Sequence, residues 1–303
     1  MNILITGKGG QLAWELEQTA PSQYTIIALD SQQLDITDQQ QVMKALAEHQ
    51  PDILINAAAY TAVDKAESDQ AMAYAVNAQG SEYLALACKE HQVKLIHVST
   101  DFVFDGSQTT PYQTDADPCP LNVYGDSKLQ GDLKISAILG NQATIIRTAW
   151  VYSAHGNNFV KTMLRLMTEK EQLGIVYDQV GTPTWAKGLA QMIWRLAEGQ
   201  SKTNSSGKAR SELSETQILH WTDAGVASWY DFAVAIQELA LEKGLLEKSI
   251  PVRPIPASSY PTPARRPNFS VIDKTTAEQI SGVDTVHWRK QLSAMLDELN
   301  TAG

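Results

Sequence analysis

Five short apolar runs, at residues 2–6, 24–29, 52–56, 94–99 and 143–147, punctuate the first half of the chain, and helix-period segments fill the intervals between them. That alternation predicts parallel strands lying side by side, with the crossover helices packed on both faces of the sheet. Ile53-Leu54-Ile55 and Leu95-Ile96-His97-Val98 lack a polar face, as strands covered on both sides require. The expected fold class is therefore α/β, with ligands bound beyond the C-terminal ends of the strands.

Directly after the first run comes Gly7-Lys8-Gly9-Gly10-Gln11-Leu12-Ala13, followed by a helix. Gly7 permits a tight turn, Gly10 lets the backbone approach a pyrophosphate at the helix N-terminus, and Ala13 sits where helix meets strand. In that context the turn predicts a dinucleotide site in a Rossmann-type doubly wound sheet, with Gln11 and Leu12 among the cofactor-binding residues. Asp30 ends the second strand at the spacing of an acid that takes the adenosine ribose hydroxyls; the other reading is a cap of its own turn. No arginine follows it to hold a 2′-phosphate, so the sequence leans toward NADH and leaves NADPH open. Asp35 and Ile36 are expected over the adenine. The stretch Asn56-Ala57-Ala58-Ala59-Tyr60 ends the third strand with residues small enough for backbone to lie against the cofactor.

Tyr124 and Lys128 stand four residues apart, on one face of a helix, and Ser99-Thr100 closes the fourth strand. A hydride delivered to a carbonyl carbon leaves an oxyanion that needs a proton donor. A phenol serves reversibly only if a nearby positive charge stabilises its anion. Lys128 can supply such a charge, and the Thr100 hydroxyl can orient a carbonyl.

Together these motifs resemble the extended short-chain dehydrogenase/reductase family, whose catalytic group is Ser/Thr, Tyr and Lys. Five blocks, Gly7 to Leu12, Asn56 to Glu67, Ser99 to Gly106, Pro120 to Gly125 and Arg147 to Tyr152, look like its reductases of dTDP-linked 4-keto sugars. The resemblance implies hydride transfer from NADH or NADPH to a sugar ketone, with Tyr124, Lys128 and Thr100 catalytic and Lys128 also on the nicotinamide ribose. It implies that Asn77 supports this group, or else bonds within its own helix. It further implies that Thr100, Asp101 and Trp150 line the sugar pocket and that the late Pro/Arg segment lies near the nucleotide, where Arg266, with Arg265 as fallback, offers a fork for the diphosphate. One departure is Phe102, where the family commonly has a tyrosine. Some relatives bind Mg2+ between subunits through glutamates; Glu15 matches one position, the others find no match, and no metal site is assigned.

After about residue 152 the rhythm loosens. Residues 1–152 are expected to form the nucleotide-binding domain and 153–303 mainly a smaller α/β substrate lobe, some later segments returning to the first unit. Helices are expected at 158–170, 185–197, 230–243 and 288–299, and strand-like pieces at 175–177 and 218–221. Residues 200–215, rich in Ser, Lys, Gly and Asn, read as an exposed loop. Residues 251–267 hold six prolines and three arginines, which predicts an extended strap over the site instead of a regular element.

A formal charge of −10 removes the basic field that nucleic acid or anionic lipid would need, so neither is expected as a partner. No apolar stretch approaches bilayer length and no basic segment precedes the first strand, which points to the cytoplasm. Cys88 and Cys119 lack the neighbours of a zinc or redox motif. The expected partner is a dTDP-sugar, and a homodimer is left open. Two other readings share the motifs: a regulatory subunit like the β subunit of methionine adenosyltransferase, and a nucleotide-sugar epimerase or dehydratase. A dehydratase of this type carries an Asp-Glu pair after the threonine, where this chain has Asp101-Phe102.

Overall fold

The computed structural model describes residues 1–206 and 215–302. Its first half runs β1 (Asn2–Thr6), α1 (Gln11–Gln18), β2 (Thr25–Leu29), α2 (Gln39–His49), β3 (Ile53–Asn56), α3 (Val63–Ala66), α4 (Gln70–Tyr74), α5 (Ser81–His91), β4 (Lys94–Thr100), α6 (Val123–Leu139) and β5 (Ala143–Thr148). The second half adds β6 (Val151–Tyr152), α7 (Phe159–Glu169), β7 (Leu173–Val176), β8 (Val180–Gly181), β9 (Thr184–Trp185) and α8 (Ala186–Ser206). It closes with β10 (Gln217–His220), β11 (Ala227–Ser228), α9 (Trp229–Glu242), β12 (Val252–Ile255), α10 (Thr275–Ser281) and α11 (Trp288–Ala302).

Six strands form one parallel sheet in the order β10-β5-β4-β3-β1-β2. From β1 the chain moves outward to β2 and then returns past β1 to β3, so the connections leave β1 and β3 in opposite directions and open a crevice above their C-terminal ends. The strands are apolar on both faces because each face is covered. Leu12, Leu16, Ile193 and Trp194 pack against Ile3 and Ile5 on one side, while Val42, Leu46, Leu84 and Ile135 pack against Leu4 and Leu54 on the other. The sixth strand, β10, and helix α8 therefore belong to this sheet's core although they follow residue 152. A separate apolar cluster, built around Met163, Phe232, Ile236 and Met295, holds α7, α9 and α11 together in the second lobe.

Two expectations for the second half need correction. Helix α8 continues to Ser206, into the stretch read as a loop from 200, and residues 207–214 lie outside the described residues. The proline-rich segment is not wholly irregular: Val252–Ile255 pairs in parallel with Leu173–Val176 as a two-stranded sheet. Pro254 is tolerated there because a strand in a two-stranded ribbon has one edge that needs no N–H. Among the described residues, no helix is long and apolar enough to cross a membrane.

Between α4 and α5 the helix widens into a π-turn, Ala75–Gly80, which the sequence pattern does not show. It sets Asn77 facing two elements at once. Asn77 Oδ1 accepts from the Tyr60 N–H at 2.9 Å, and Nδ2 donates to the Tyr60 carbonyl at 3.1 Å and to Ser127 Oγ at 3.0 Å. The loop after β3 is thereby tied to the helix that carries Tyr124.

Candidate active site

A cleft of about 740 Å³ opens above the sheet, running from the Gly7 turn to Tyr124 and Trp150. Its first wall is the turn between β1 and α1. Gly7 has φ +81°, and a Cβ there would stand 2.8 Å from the backbone of Ala57 and Ala58, so this glycine lets the two loops meet. Helices α2, α6, α7 and α9 are each capped by a side chain, from Asp38, Asn122, Asn158 and Ser228. Helix α1 has neither a side-chain cap nor an acidic residue in its first turn. Gly10, Gln11 and Leu12 at this uncapped N-terminus line the cleft, an arrangement that fits a pyrophosphate.

Along the cleft stand Gly10, Gln11 and Leu12 from this turn, Asp35 and Ile36 after β2, and Ala57, Ala58, Ala59 and Tyr60 after β3. Thr100, Asp101, Phe102, Tyr124, Lys128 and Trp150 line its far end. Nearly all of the expected site residues thus share one cavity. Asp30 and Arg266 do not border it. Asp30 Oδ1 accepts from the N–H groups of Gln32 and Gln33, the cap reading of that residue. Arg266 binds Asp64 in α3 through two parallel hydrogen bonds of 2.9 and 2.8 Å.

Lys8, Ser31, Val98, Gly156 and Asn157 also line the cleft and were not singled out from the sequence. Lys8 was within reach, since it lies inside the glycine turn. Gly156 and Asn157 belong to a loop that reaches the cleft only through tertiary packing: Asn158 Nδ2 donates to Gln11 Oε1 at 2.9 Å and fastens that loop over the turn.

The catalytic candidates are placed by α6 and the end of β4. Gly125 lets α6 press against the preceding loop, since a Cβ there would lie 2.2 Å from the Phe102 carbonyl oxygen. Tyr124 is held edge-on to Phe102, with ring centroids 5.5 Å apart. Burial pushes its phenol up to about 12, a hydrogen bond with Thr100 opposes the rise, and the carboxylates of Asp101 and Asp132 add to it. At neutral pH the phenol keeps its proton. Thr100 Oγ1 donates to Asp101 Oδ1 at 3.1 Å and accepts from the Phe102 N–H at 3.2 Å. Burial raises the Asp101 carboxyl to about 6.

Lys128 is almost completely enclosed, and burial lowers its ammonium to about 8 against the opposing pull of Asp132. Its Nζ donates to the Val98 carbonyl at 2.7 Å and lies 3.2 Å from His97 Nε2, on the strand beneath the cleft. At the lobe side, Trp150 adopts the left-handed conformation, φ 48°, and stacks on Trp229 with centroids 3.5 Å apart and planes 6° off parallel. Glu15, the one position matched to a metal ligand, is buried and accepts from Ser153 Oγ at 2.7 Å. Among the described residues no group of three His, Cys, Asp or Glu side chains is arranged to hold a metal.

The parallel sheet, the open helix N-terminus and the Thr-Tyr-Lys group at the C-terminal ends of the strands define an oxidoreductase fold of the extended short-chain dehydrogenase/reductase class. The profile described as "RmlD substrate binding domain" matches residues 1–301, and the chain belongs to that family. The dTDP-4-dehydrorhamnose reductase of Aggregatibacter actinomycetemcomitans is 39% identical over 96% of both chains. A crystal structure of a dTDP-4-dehydrorhamnose reductase from Clostridium acetobutylicum superposes with a TM-score of 0.88 at 36% identity, covering 99% of this chain and 100% of that one. The Bacillus anthracis reductase, solved in complex with NADP, gives 0.87 at 33% identity, covering 98% and 99%.

Proposed function

We propose that this protein is an NAD(P)H-dependent dTDP-4-dehydrorhamnose reductase, converting the C4 ketone of dTDP-4-dehydro-L-rhamnose to the alcohol of dTDP-L-rhamnose. The observation that carries this reading is the single cleft with the uncapped N-terminus of α1 at one end and Thr100, Tyr124 and Lys128 at the other. End-to-end similarity to reductases of that name supports it.

The glycine turn and the alanines after β3 would hold the dinucleotide, and the reduced nicotinamide supplies a hydride when bound. Thr100 orients the sugar carbonyl. Tyr124, kept protonated by its burial, donates to the carbonyl oxygen as negative charge develops there. Lys128, one helical turn further along α6, stabilises the phenolate that remains. Phe102 packs against the Tyr124 ring, where a dehydratase would need a second acid–base group, and a phenyl ring can neither accept nor donate a proton. The site is therefore read as one for reduction without dehydration.

Loss of NADPH or NADH absorbance on adding dTDP-4-dehydro-L-rhamnose tests the assignment, with UDP-linked 4-keto sugars as controls. Nucleotide binding without turnover would favour a regulatory subunit. Formation of the 4-keto-6-deoxy product from dTDP-glucose and NAD+ would favour a dehydratase.

A further inference from the structure

His97 lies in the middle of β4 and is completely buried, in a run that the apolar pattern assigns to the core. Its two ring nitrogens are not equivalent, and the surrounding hydrogen bonds fix which one carries the proton. The chain of assignment starts at Ala58, whose backbone N–H can only donate. It donates to Asn56 Oδ1 at 3.2 Å, and Thr6 Oγ1 donates to the same oxygen at 2.6 Å. The Asn56 amide is thereby oriented with Nδ2 toward His97 Nδ1, 2.9 Å away. Nδ1 must accept, so the neutral ring carries its proton on Nε2. The ring stays neutral because burial, and then the adjacent Lys128, hold its pKa well below the ordinary histidine value.

The Nε2–H group faces two atoms. One is Asp132 Oδ1, 3.6 Å away and without a hydrogen bond of its own among the described residues. The other is Lys128 Nζ at 3.2 Å. An ammonium has three donors and no lone pair, so it meets Nε2–H donor to donor. A neutral amine can accept that proton while donating to the Val98 carbonyl.

We propose that His97 is a positioning residue for Lys128: locked by Asn56 with its proton on Nε2, it donates to the neutral amine against β4 but turns the ammonium away, toward Tyr124 and the cleft. The inference rests on the reductase reading for its purpose and on the hydrogen bonds alone for its geometry. The charge that must stabilise a phenolate is thus kept from settling behind the site. Asp132 on α6 also acts on Lys128, favouring its charged form, and Arg147 on β5 faces Asp132 in turn, its Nε 3.6 Å from Oδ2; Tyr124 and Asp101 line the same cleft as Lys128. Ser99 Oγ donates to the same Oδ2 at 2.8 Å, so Asp132 is anchored from both β4 and β5.

The proposal is tested without turnover. Histidine ¹⁵N spectra of the cofactor-free protein, with His97→Asn identifying the resonances, should show His97 in the Nε2–H tautomer and unchanged from about pH 5 to 9. The Nδ1–H tautomer, or a ring that titrates in this range, would overturn the proposal. Lys128 is followed separately through its ¹³Cε shift. Removing a donor that opposes the ammonium should move the lysine titration upward by about half a unit or more in His97→Asn. Asn56→Asp, which can only accept from the ring and so reverses the tautomer, should move it in the same direction. A downward shift, or none in either variant, refutes the role. If His97→Asn fails to fold, the tautomer in wild type still decides, since the Nδ1–H form refutes the role by itself. Failure of the reductase reading would appear only in the NADPH assay, leaving these spectra unaffected.

Discussion

Arg266 grips Asp64 with both ends of its guanidinium, Nη1 to Oδ1 and Nη2 to Oδ2, and Nη1 also donates to Thr262 Oγ1 at 2.6 Å and to the Ala264 carbonyl at 3.2 Å. With its donors so engaged, it fastens the proline-rich segment to α3. Arg265 is exposed beside it and remains the candidate for the diphosphate. Arg266→Ala and Asp64→Ala are each expected to lower stability by about 1 kcal/mol or less, because the pair is partly solvent-screened, and to be non-additive in a double-mutant cycle. Arg265→Ala should raise KM for the dTDP-sugar more than Arg266→Ala does. A larger KM effect at Arg266, with none at Asp64, would return the diphosphate contact to Arg266.

Tyr124→Phe is expected to lower kcat by at least about a hundredfold while leaving the dissociation constant of NADPH nearly unchanged, since it deletes the proton donor and keeps the ring against Phe102. Lys128→Met should damage both turnover and nucleotide binding. Steady-state kinetics and a fluorescence titration separate the two effects. Turnover close to wild type in Tyr124→Phe would defeat the proposed mechanism.

The parallel sheet and the near wall of the cleft were legible in the sequence because each rests on local signals: apolar runs of strand length, a glycine turn between strand and helix, and a Tyr-x-x-x-Lys spacing that survives any packing of the helix. What was not legible depends on contacts distant in sequence. Asn77 gains its role from a π-turn that no residue pattern marks. His97 looked like core because its neighbours are apolar, and its polar partners come from β3 and α6. Arg266 was read as free for an anion because the sequence does not reveal that Asp64, about two hundred residues earlier, lies beside it.

Asp223 is buried and accepts from the Trp185 N–H at 3.0 Å; burial raises its carboxyl to about 7, with that backbone bond and Gln291 opposing. Because the folded state holds this proton to higher pH than the unfolded chain does, the group costs stability as pH rises from its ordinary value of 3.8 toward 7. Asp223→Asn keeps the acceptor and removes the charge. The variant should therefore gain on wild type as pH rises, by roughly 2–4 kcal/mol between pH 4 and 8. Urea unfolding at the two pH values measures it, and an equal difference at both would show that the carboxyl does not titrate there.

Trp150 is held at φ 48°, a conformation that costs a bulky residue about 1–2 kcal/mol and persists only where packing enforces it. Trp229 supplies that packing through its stack. Trp229→Leu is expected to release the Trp150 ring, raise KM for the dTDP-sugar about fivefold with a smaller change in kcat, and abolish the exciton-coupled circular dichroism of a stacked indole pair. Loss of the dichroic signal with KM unchanged would mean that Trp150 does not hold the sugar.

Charge and local hydrogen bonding at Asp30 can be separated by substitution. Its Oδ1 caps the Gln32 and Gln33 N–H groups. An asparagine can make both of those bonds, so Asp30→Asn preserves the turn and removes only the negative charge. If the carboxylate faces the adenosine ribose, it accepts from the hydroxyls of NADH and repels the 2′-phosphate of NADPH. The substitution should then weaken NADH and strengthen NADPH, moving the ratio of their dissociation constants by about tenfold, in line with one charge-assisted hydrogen bond of about 1.5 kcal/mol. Asp30→Ala would blur this result, because it also leaves two N–H groups without their partner. Binding of each nucleotide to the isosteric variant is the measurement, and an unchanged ratio would establish Asp30 as a cap of its turn alone, leaving Lys8 and Ser31, which line the same end of the cleft, to discriminate between the two cofactors.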